Sequence, residues 1–148
     1  MYALKRLSIE NKEEIKEVFT GVFTKAPWYD DWSDTKQLDL YICDLIGQGY
    51  SLTYGLYDEA GELIGISLGY IKHWYSATEY VIDELCVQTE LQGKGYGREF
   101  LLQIEQFLIS RGIRTIFLAT ERNVPAFSFY KKLGFTELPE YVGFYKDF

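Results

Sequence analysis

The chain has 148 residues, enough for one domain with a hydrophobic core, and we expect a single domain over 1–148. Its 47% of hydrophobic residues exclude a disordered protein, yet no apolar run reaches the length of about 18 residues that a membrane span needs. The formal net charge of −7, without a basic stripe, argues against a nucleic-acid partner, and the lack of a signal-peptide pattern makes the cytoplasm the expected compartment.

The few cysteines and the single histidine indicate neither a metal site nor a nucleophile. Cys43 and Cys86 lack the CxxC or Cys/His spacing of a zinc site, so we expect two buried thiols and no metal. No candidate nucleophile stands near His73 in the sequence. We interpret His73 as a strand or loop residue, with contact to a substrate as the less favoured alternative.

The N-terminal part predicts a strand and then a helix. The loose alternation of YALKRL (2–7) is typical of a strand. Ser8 is a candidate N-cap for a helix over 10–22. The apolar face of that helix repeats at helical spacing through Ile15, Val18, Phe19 and Val22.

A loop over 24–34 separates this helix from a second one. Pro27 ends the first helical pattern, and Ser33 is the candidate cap of the next helix. Gly47 and Gly49 are expected to end the second helix. Its apolar face is formed by Leu38, Tyr41, Ile42, Leu45 and Ile46.

The middle of the chain predicts three strands in succession. SLTYGLY (51–57) and ELIGISLGYI (62–71) flank the turn signal DEAG (58–61), which indicates a hairpin. A third strand over 76–87 ends in VIDELCV. A glycine-rich loop follows it.

The second half alternates helices with strands. An apolar stripe predicts a helix that ends near Gly112. The segment IRTIFLAT (113–120) predicts a short buried strand. A short helix over 124–133 precedes strand material in 135–138 and 141–148. The stripe of the long helix comprises Tyr96, Phe100, Leu101, Ile104, Phe107 and Leu108. The order β-α-α-β-β-β-α-β-α-β-β predicts a mixed α/β (α+β) fold, with a twisted sheet of six to seven strands and helices on both faces.

The loop QGKGYG (92–97) has the composition of an anion cradle. Glycines allow positive φ, and a helix N-terminus presents N–H groups and the positive end of its dipole. A Walker loop is excluded because Gly95 follows Lys94, and a Rossmann fingerprint because Arg98 stands where the third glycine belongs. A flexible strand-to-helix turn remains the alternative.

Two motifs together carry a family resemblance. QGKGYG fits the pattern [Q/R]-x-x-G-x-[G/A], and NVPAFSFYKKLGF (123–135) supplies an asparagine followed by A-x-x-F-Y-x-x-x-G-F. This pair resembles the GNAT N-acetyltransferase superfamily, sharply over 80–136 and only in element order before that. The resemblance implies the GNAT fold and acetyl-CoA as cosubstrate. It implies coenzyme contacts from Leu85, Cys86, Val87, Gln92, Gly93, Lys94, Gly95, Tyr96, Gly97, Arg98, Asn123, Ala126, Phe129 and Tyr130. Asn123 is alternatively a helix N-cap.

The resemblance also suggests catalytic roles. Tyr130 is the candidate general acid for the coenzyme A thiolate, since a phenol with a pKa near 10 can donate a proton to a developing thiolate of comparable basicity. The alternative is that Tyr130 is a core aromatic residue. Asp83 is the preferred residue to accept the proton of the amine, with Glu84 as the alternative and a water relay also open. Alternation along the strand is expected to place one of these carboxylates on each face.

The loop over 24–34 is the expected wall of the acceptor site. Its aromatic rings and carboxylates suit a polyamine or aminosugar, with a solvated capping loop as the alternative. These candidates are Trp28, Tyr29, Asp30, Asp31 and Trp32. The expected activity is acetyl transfer to a small cationic primary amine, aminoglycoside- or polyamine-like. The alternatives are a protein or peptide acceptor, and a non-catalytic acyl-CoA-binding module. The aromatic segment YVGFYKDF (141–148) suits a homodimer or equally an edge strand.

Overall fold

The computed structural model describes residues 2–148 of the protein. Within these residues five strands and four helices follow in the order β1-α1-α2-β2-β3-β4-α3-β5-α4. The strands are β1 Ala3–Leu7, β2 Ser51–Tyr57, β3 Leu63–His73, β4 Thr78–Val87 and β5 Thr115–Leu118. The helices are α1 Lys12–Phe23, α2 Thr35–Ile46, α3 Tyr96–Ser110 and α4 Pro125–Lys132. None of these helices is long and apolar enough to cross a membrane.

The five strands form one mixed sheet in the order β1-β2-β3-β4-β5. The first three pairings are antiparallel, and β4 pairs with β5 in parallel, with α3 as the crossover between them. The mixed sheet and the fold class are therefore as predicted from the sequence.

Helices cover both faces of the sheet, as predicted. The apolar stripes of α1 and α2 pack against one face, around Ile15, Phe19 and Ile42. Helix α3 packs against the other face through Phe100 and Ile104, with α4 beside it. Burial of these apolar side chains on the two faces is the main stabilising contribution to the fold.

The C-terminal strands expected from the sequence are not formed. Residues 136–148 contain no strand, so the sheet has five strands instead of six to seven. No strand pairs with these residues, and the large apolar side chains of the segment are exposed. These side chains are Leu138, Tyr141, Val142, Phe144, Tyr145 and Phe148. The strand expected over 113–120 is also shorter, and β5 is half-buried rather than buried.

The helix caps differ from the predictions by a few residues. The side chain of Ser8 caps a single 3-10 turn at Ile9–Asn11, so α1 begins only at Lys12. Asp34, not Ser33, caps α2, because its Oδ1 accepts the N–H groups of the first turn.

The two cysteines are free thiols, but only Cys86 is buried as predicted, while Cys43 is half-buried. His73 ends β3, and its Nδ1 lies 3.2 Å from Oγ1 of Thr78. The interpretation of His73 as a strand residue is therefore confirmed.

A β-bulge interrupts the regular alternation of β4. Leu68 of β3 lies opposite Glu84 and Gly69 lies opposite Ile82, so Asp83 has no opposite residue. Because of this extra residue, Ile82 packs on the α3 side of the sheet while Cys86 packs on the α1 side. The bulge thus directs Glu84 and Cys86 to the face covered by α1 and α2.

Strands β4 and β5 separate beyond the bulge. Their parallel pairing joins Glu79–Ile82 to Thr115–Leu118, and β4 continues for five more residues, 83–87, without β5. This separation leaves a cleft along the edge of β4 that leads to the glycine loop.

Candidate active site

A cavity of about 490 Å3 lies between the end of β4, the glycine loop, α1 and α4. Most of the predicted coenzyme residues line it, namely Leu85, Cys86, Val87, Gln92, Gly93, Gly95, Gly97, Arg98, Ala126, Phe129 and Tyr130. Three do not: Asn123 does not line this cavity, and Lys94 and Tyr96 line a separate depression beside Tyr2.

One wall of this cavity was not predicted from the sequence. It comes from the end of α1 and the following loop, with Phe23 and Pro27 among its residues. Lys132 at the end of α4 also lines the cavity. No motif marks these positions; the apolar stripe of α1 shows only that its face is buried.

The glycine loop has the backbone geometry of an anion cradle. Gly93 and Gly95 have φ of 76° and 91°, in the left-handed region that glycine adopts without strain. Gly95 is the N-cap of α3, and no side chain caps the first turn. The amide Nε2 of Gln92 donates to the carbonyl oxygen of Val87 at 3.0 Å, which ties the loop to the end of β4.

The charges around the loop fit a pyrophosphate. Arg98 and Lys132 line the same cavity as the glycines. They add positive charge to the N-terminal end of the α3 dipole, where anions bind favourably. The residues present therefore match the anionic part of coenzyme A, and the apolar remainder of the wall matches its less polar arm.

Tyr130 lies on α4 in the same cavity wall. Its ring packs against Phe129 and Phe135, with ring centroids 5.3 Å apart in both pairs. Burial raises the pKa of Tyr130, and the neighbouring Cys86 and Glu84 add to this effect. The phenol is consequently protonated over the neutral range and is able to donate a proton or hydrogen bond.

Two carboxylates lie at the bulge next to the cavity. Glu84 accepts a hydrogen bond of 2.6 Å from the hydroxyl of Tyr41 on α2. Burial raises the pKa of Glu84, and the bond from Tyr41 opposes this shift. Burial also raises the pKa of Asp83. The bulge breaks the alternation on which the prediction of one carboxylate on each face rests, and the charges of both carboxylates raise the pKa of Tyr41.

The family model of the acetyltransferase (GNAT) family matches residues 13–135 of the chain. The chain belongs to the GNAT family. It is therefore an acyltransferase of the family that uses acetyl-CoA, as the two sequence motifs indicated. A sequence search of curated proteins finds no match.

Solved structures share the GNAT fold over nearly the whole chain. An aminoglycoside acetyltransferase from an uncultured soil metagenomic sample, in complex with sisomicin, is 20% identical, with a TM-score of 0.75 over 99% of this chain and 96% of that chain. The aminoglycoside N-acetyltransferase AAC(6')-Iy in complex with CoA is 15% identical, with a TM-score of 0.75 over 99% and 95%. A ribosomal-protein-alanine N-acetyltransferase from Brucella melitensis is 14% identical, with a TM-score of 0.74 over 100% of both chains.

The aromatic residues of the 24–34 loop take different positions in this GNAT chain. Trp28 packs on Phe23, with ring centroids 5.6 Å apart, and lines the cavity that contains the glycine loop. Trp32 stacks on Tyr41 at 5.2 Å and 19°, and its buried Nε1 has no hydrogen-bond partner among the described residues. Tyr29 is 72% exposed. Both tryptophans are thus partly buried against the core on the α1 side of the sheet.

The acidic residues of the same loop also differ in role. Asp31 accepts the backbone N–H of Ser33 at 3.0 Å, which is a local turn contact. Asp30 is exposed, and its charge raises the pKa values of Glu84 and Tyr41. Among the acidic residues of the loop, Asp30 is therefore the one whose charge affects the pKa of Glu84 on β4.

Asn123 is exposed just before α4. The N-cap of α4 is Val124, so the alternative interpretation of Asn123 as N-cap is wrong. Within residues 2–148 no group of three or more histidine, cysteine or acidic residues is placed to hold a metal ion.

Proposed function

We propose that this GNAT chain transfers an acetyl group from acetyl-CoA to a primary amine of a small cationic substrate, aminoglycoside- or polyamine-like, by direct attack in a ternary complex. One observation carries the proposal: the cavity that holds the glycine cradle and Tyr130 adjoins the carboxylates at the bulge of β4. An anion cradle, a half-buried acid and a half-buried carboxylate in one cleft provide the groups that aminolysis of a thioester requires.

The coenzyme is held from both of its ends in this proposal. The N–H groups of the glycine loop and the cations Arg98 and Lys132 bind the pyrophosphate. The edge of β4 at 83–87 is not paired with β5, and backbone groups on this edge, other than the Val87 carbonyl that accepts from Gln92, bind the amides of the pantetheine arm. Pairing with this edge aligns the thioester with the bulge.

Two side chains handle protons. Tyr130 donates to the leaving thiolate, because burial keeps its phenol protonated. Glu84 accepts a proton from the substrate ammonium, directly or through a water, and the resulting neutral amine attacks the thioester carbonyl carbon. The electrostatics favour Glu84 over Asp83, because the charge of Glu84 raises the pKa values of Tyr130 and Cys86 in the cavity wall, whereas the charge of Asp83 raises the pKa of Tyr70.

The acceptor side of the cleft is acidic. Asp30, Asp83 and Glu84 influence the pKa of the same tyrosine, Tyr41, so their charges lie close together. A substrate with several ammonium groups is attracted to such a cluster, and the net charge of −7 of the chain acts in the same direction. We assign Asp83 and Asp30 to the binding of ammonium groups that do not react.

A panel of acceptors tests this proposal. We expect release of coenzyme A thiol from acetyl-CoA with aminoglycosides or polyamines, at a kcat/KM at least about tenfold above that with monoamines or peptides, because only a polycation engages several carboxylates. Higher kcat/KM with peptides would instead support a protein acceptor, the substrate class named for the Brucella relative of similar fold. Coenzyme binding without turnover on any amine would support a binding module.

The two carboxylates are expected to separate in kinetics. Glu84→Gln is predicted to lower kcat by roughly 100-fold near neutral pH, since it removes the proton acceptor. Asp83→Asn is predicted to raise KM for a polycationic acceptor and to change kcat by less than about fivefold. Steady-state kinetics of both variants, with one acceptor and over a pH range, measures this. The reverse pattern would transfer the role of base to Asp83.

A further inference from the structure

Tyr41 connects α2 to the carboxylate at the centre of the cleft. Its hydroxyl donates to Oε1 of Glu84 at 2.6 Å, over a sequence separation of 43 residues. Its ring is clamped between Trp32, stacked at 5.2 Å, and Phe19, with a centroid distance of 5.9 Å. The rings restrict the motion of Tyr41, so the hydroxyl presents a fixed hydrogen bond to one carboxylate oxygen.

We propose that Tyr41 is a positioning residue for the transfer reaction: it holds Oε1 of Glu84 and leaves Oε2 for the amine. The inference rests on the proposed function, because it requires Glu84 to be the proton acceptor. A carboxylate that rotates freely would present either oxygen at random, whereas a bond to Oε1 selects one orientation. The fold supplies this bond from α2, whose residues do not line the cavity.

The same bond favours the ionised form of Glu84 in a cleft that disfavours its charge. The titratable groups near Glu84 are Asp30 from the loop, Asp83 and Cys86 from β4, Tyr130 from α4, and Tyr41. Asp30 and Asp83 raise its pKa, as burial does, and the hydroxyl of Tyr41 lowers it. A base must be unprotonated to act, so Tyr41 extends the activity of Glu84 to lower pH.

Tyr41→Phe tests this role, because it removes the hydroxyl and keeps the ring. Loss of the bond to the anion raises the pKa of Glu84. The acid limb of the kcat/KM profile should therefore shift upward by about one pH unit. At pH values on the acid limb, kcat/KM of the variant should be about tenfold lower than that of the parent. The Kd of coenzyme A should stay within about twofold, because the glycine cradle is untouched. An unshifted limb would overturn the proposal.

The chain offers a matched control in Tyr57→Phe. Tyr57 donates to Oε1 of Glu14 at the same 2.6 Å, on the same side of the sheet but outside the cleft. We expect this variant to leave the pH profile unchanged. If Tyr57→Phe shifts the limb as Tyr41→Phe does, the effect is one of general stability and the positioning role fails.

A second background tests the connection to Glu84. In Glu84→Gln the added Tyr41→Phe should not shift the profile further, because the titrating group is gone. A persistent shift would show that Tyr41 acts on another group, such as Asp83, and would overturn the proposal as stated.

A readout without turnover separates this inference from the proposed function. In protein labelled with 13C at glutamate side-chain carboxyls, the Glu84 signal, assigned by its loss in Glu84→Gln, should titrate about one pH unit higher in Tyr41→Phe than in the parent. Equal pKa values would overturn the inference whatever the acceptor is. A shifted pKa in a protein that acetylates no amine would preserve the Tyr41–Glu84 coupling and refute the proposed function.

Discussion

Gly95→Val is expected to weaken the binding of coenzyme A by about 1,000-fold while the protein remains folded. At φ of 91° a β-branched residue is strained, so the loop must leave its present conformation. The N–H groups of the cradle then lose their alignment with the pyrophosphate, and two or three charge-assisted hydrogen bonds of about 1.5–3 kcal/mol each account for the expected loss. Calorimetric titration with acetyl-CoA measures it.

Gly112→Val is the matched control for this change. Gly112 follows the opposite end of α3, also has a positive φ of 77°, and likewise has open space where a Cβ would be placed. Both variants should therefore lose a comparable amount of stability, about 1–2 kcal/mol, whereas only Gly95→Val should lose coenzyme binding. Unchanged affinity in Gly95→Val would remove the glycine loop as the pyrophosphate site.

The parts of the fold and site that are local in sequence were predictable. The glycine loop occupies six consecutive residues, and Tyr130 belongs to a motif within the continuous stretch 123–135, so spacing alone indicates them. The apolar stripes of α1, α2 and α3 also follow from helical period, because each stripe needs only one helix and a core to pack against.

The parts that depend on the pairing of distant segments were not predictable. The bulge at Asp83 arises from the register of β4 against β3, which no residue of VIDELCV indicates. The bond from Tyr41 to Glu84 joins positions far apart in the sequence, and Tyr41 appears in the sequence only as one member of an apolar stripe. The same limit applies to Trp28. Its place in the cavity of the glycine loop depends on how the loop after α1 folds over β4.

The absent C-terminal strands illustrate a further limit. Aromatic and β-branched residues in 141–148 are typical of a strand, but a strand forms only against a partner that completes its hydrogen bonds. In the described structure the segment touches the sheet through Tyr141, whose ring lies 5.8 Å from that of Phe117. Composition thus indicated the propensity of the segment without determining its pairing.

Tyr130→Phe is expected to lower kcat by between about 10² and 10³, with the Kd of coenzyme A within about twofold of the parent. The substitution keeps the ring contacts with Phe129 and Phe135 and removes only the hydroxyl. The leaving thiolate then departs without a proton donor, so the cost arises in the transition state and not in binding. Single-turnover kinetics together with calorimetry separates the two quantities.

The pH dependence sharpens this test. Burial raises the pKa of Tyr130 above its ordinary value near 10, so the phenol is protonated throughout the range in which the enzyme is assayed. Tyr130→Phe should therefore lower kcat by the same factor at every pH below about 9, without moving either limb of the profile. Tyr141→Phe, which removes an exposed hydroxyl that does not line the cavity of the glycine loop, is the control and should leave kcat unchanged. Equal losses in kcat and in coenzyme affinity for Tyr130→Phe would assign Tyr130 to the cavity wall alone and leave the thiolate to be protonated by water.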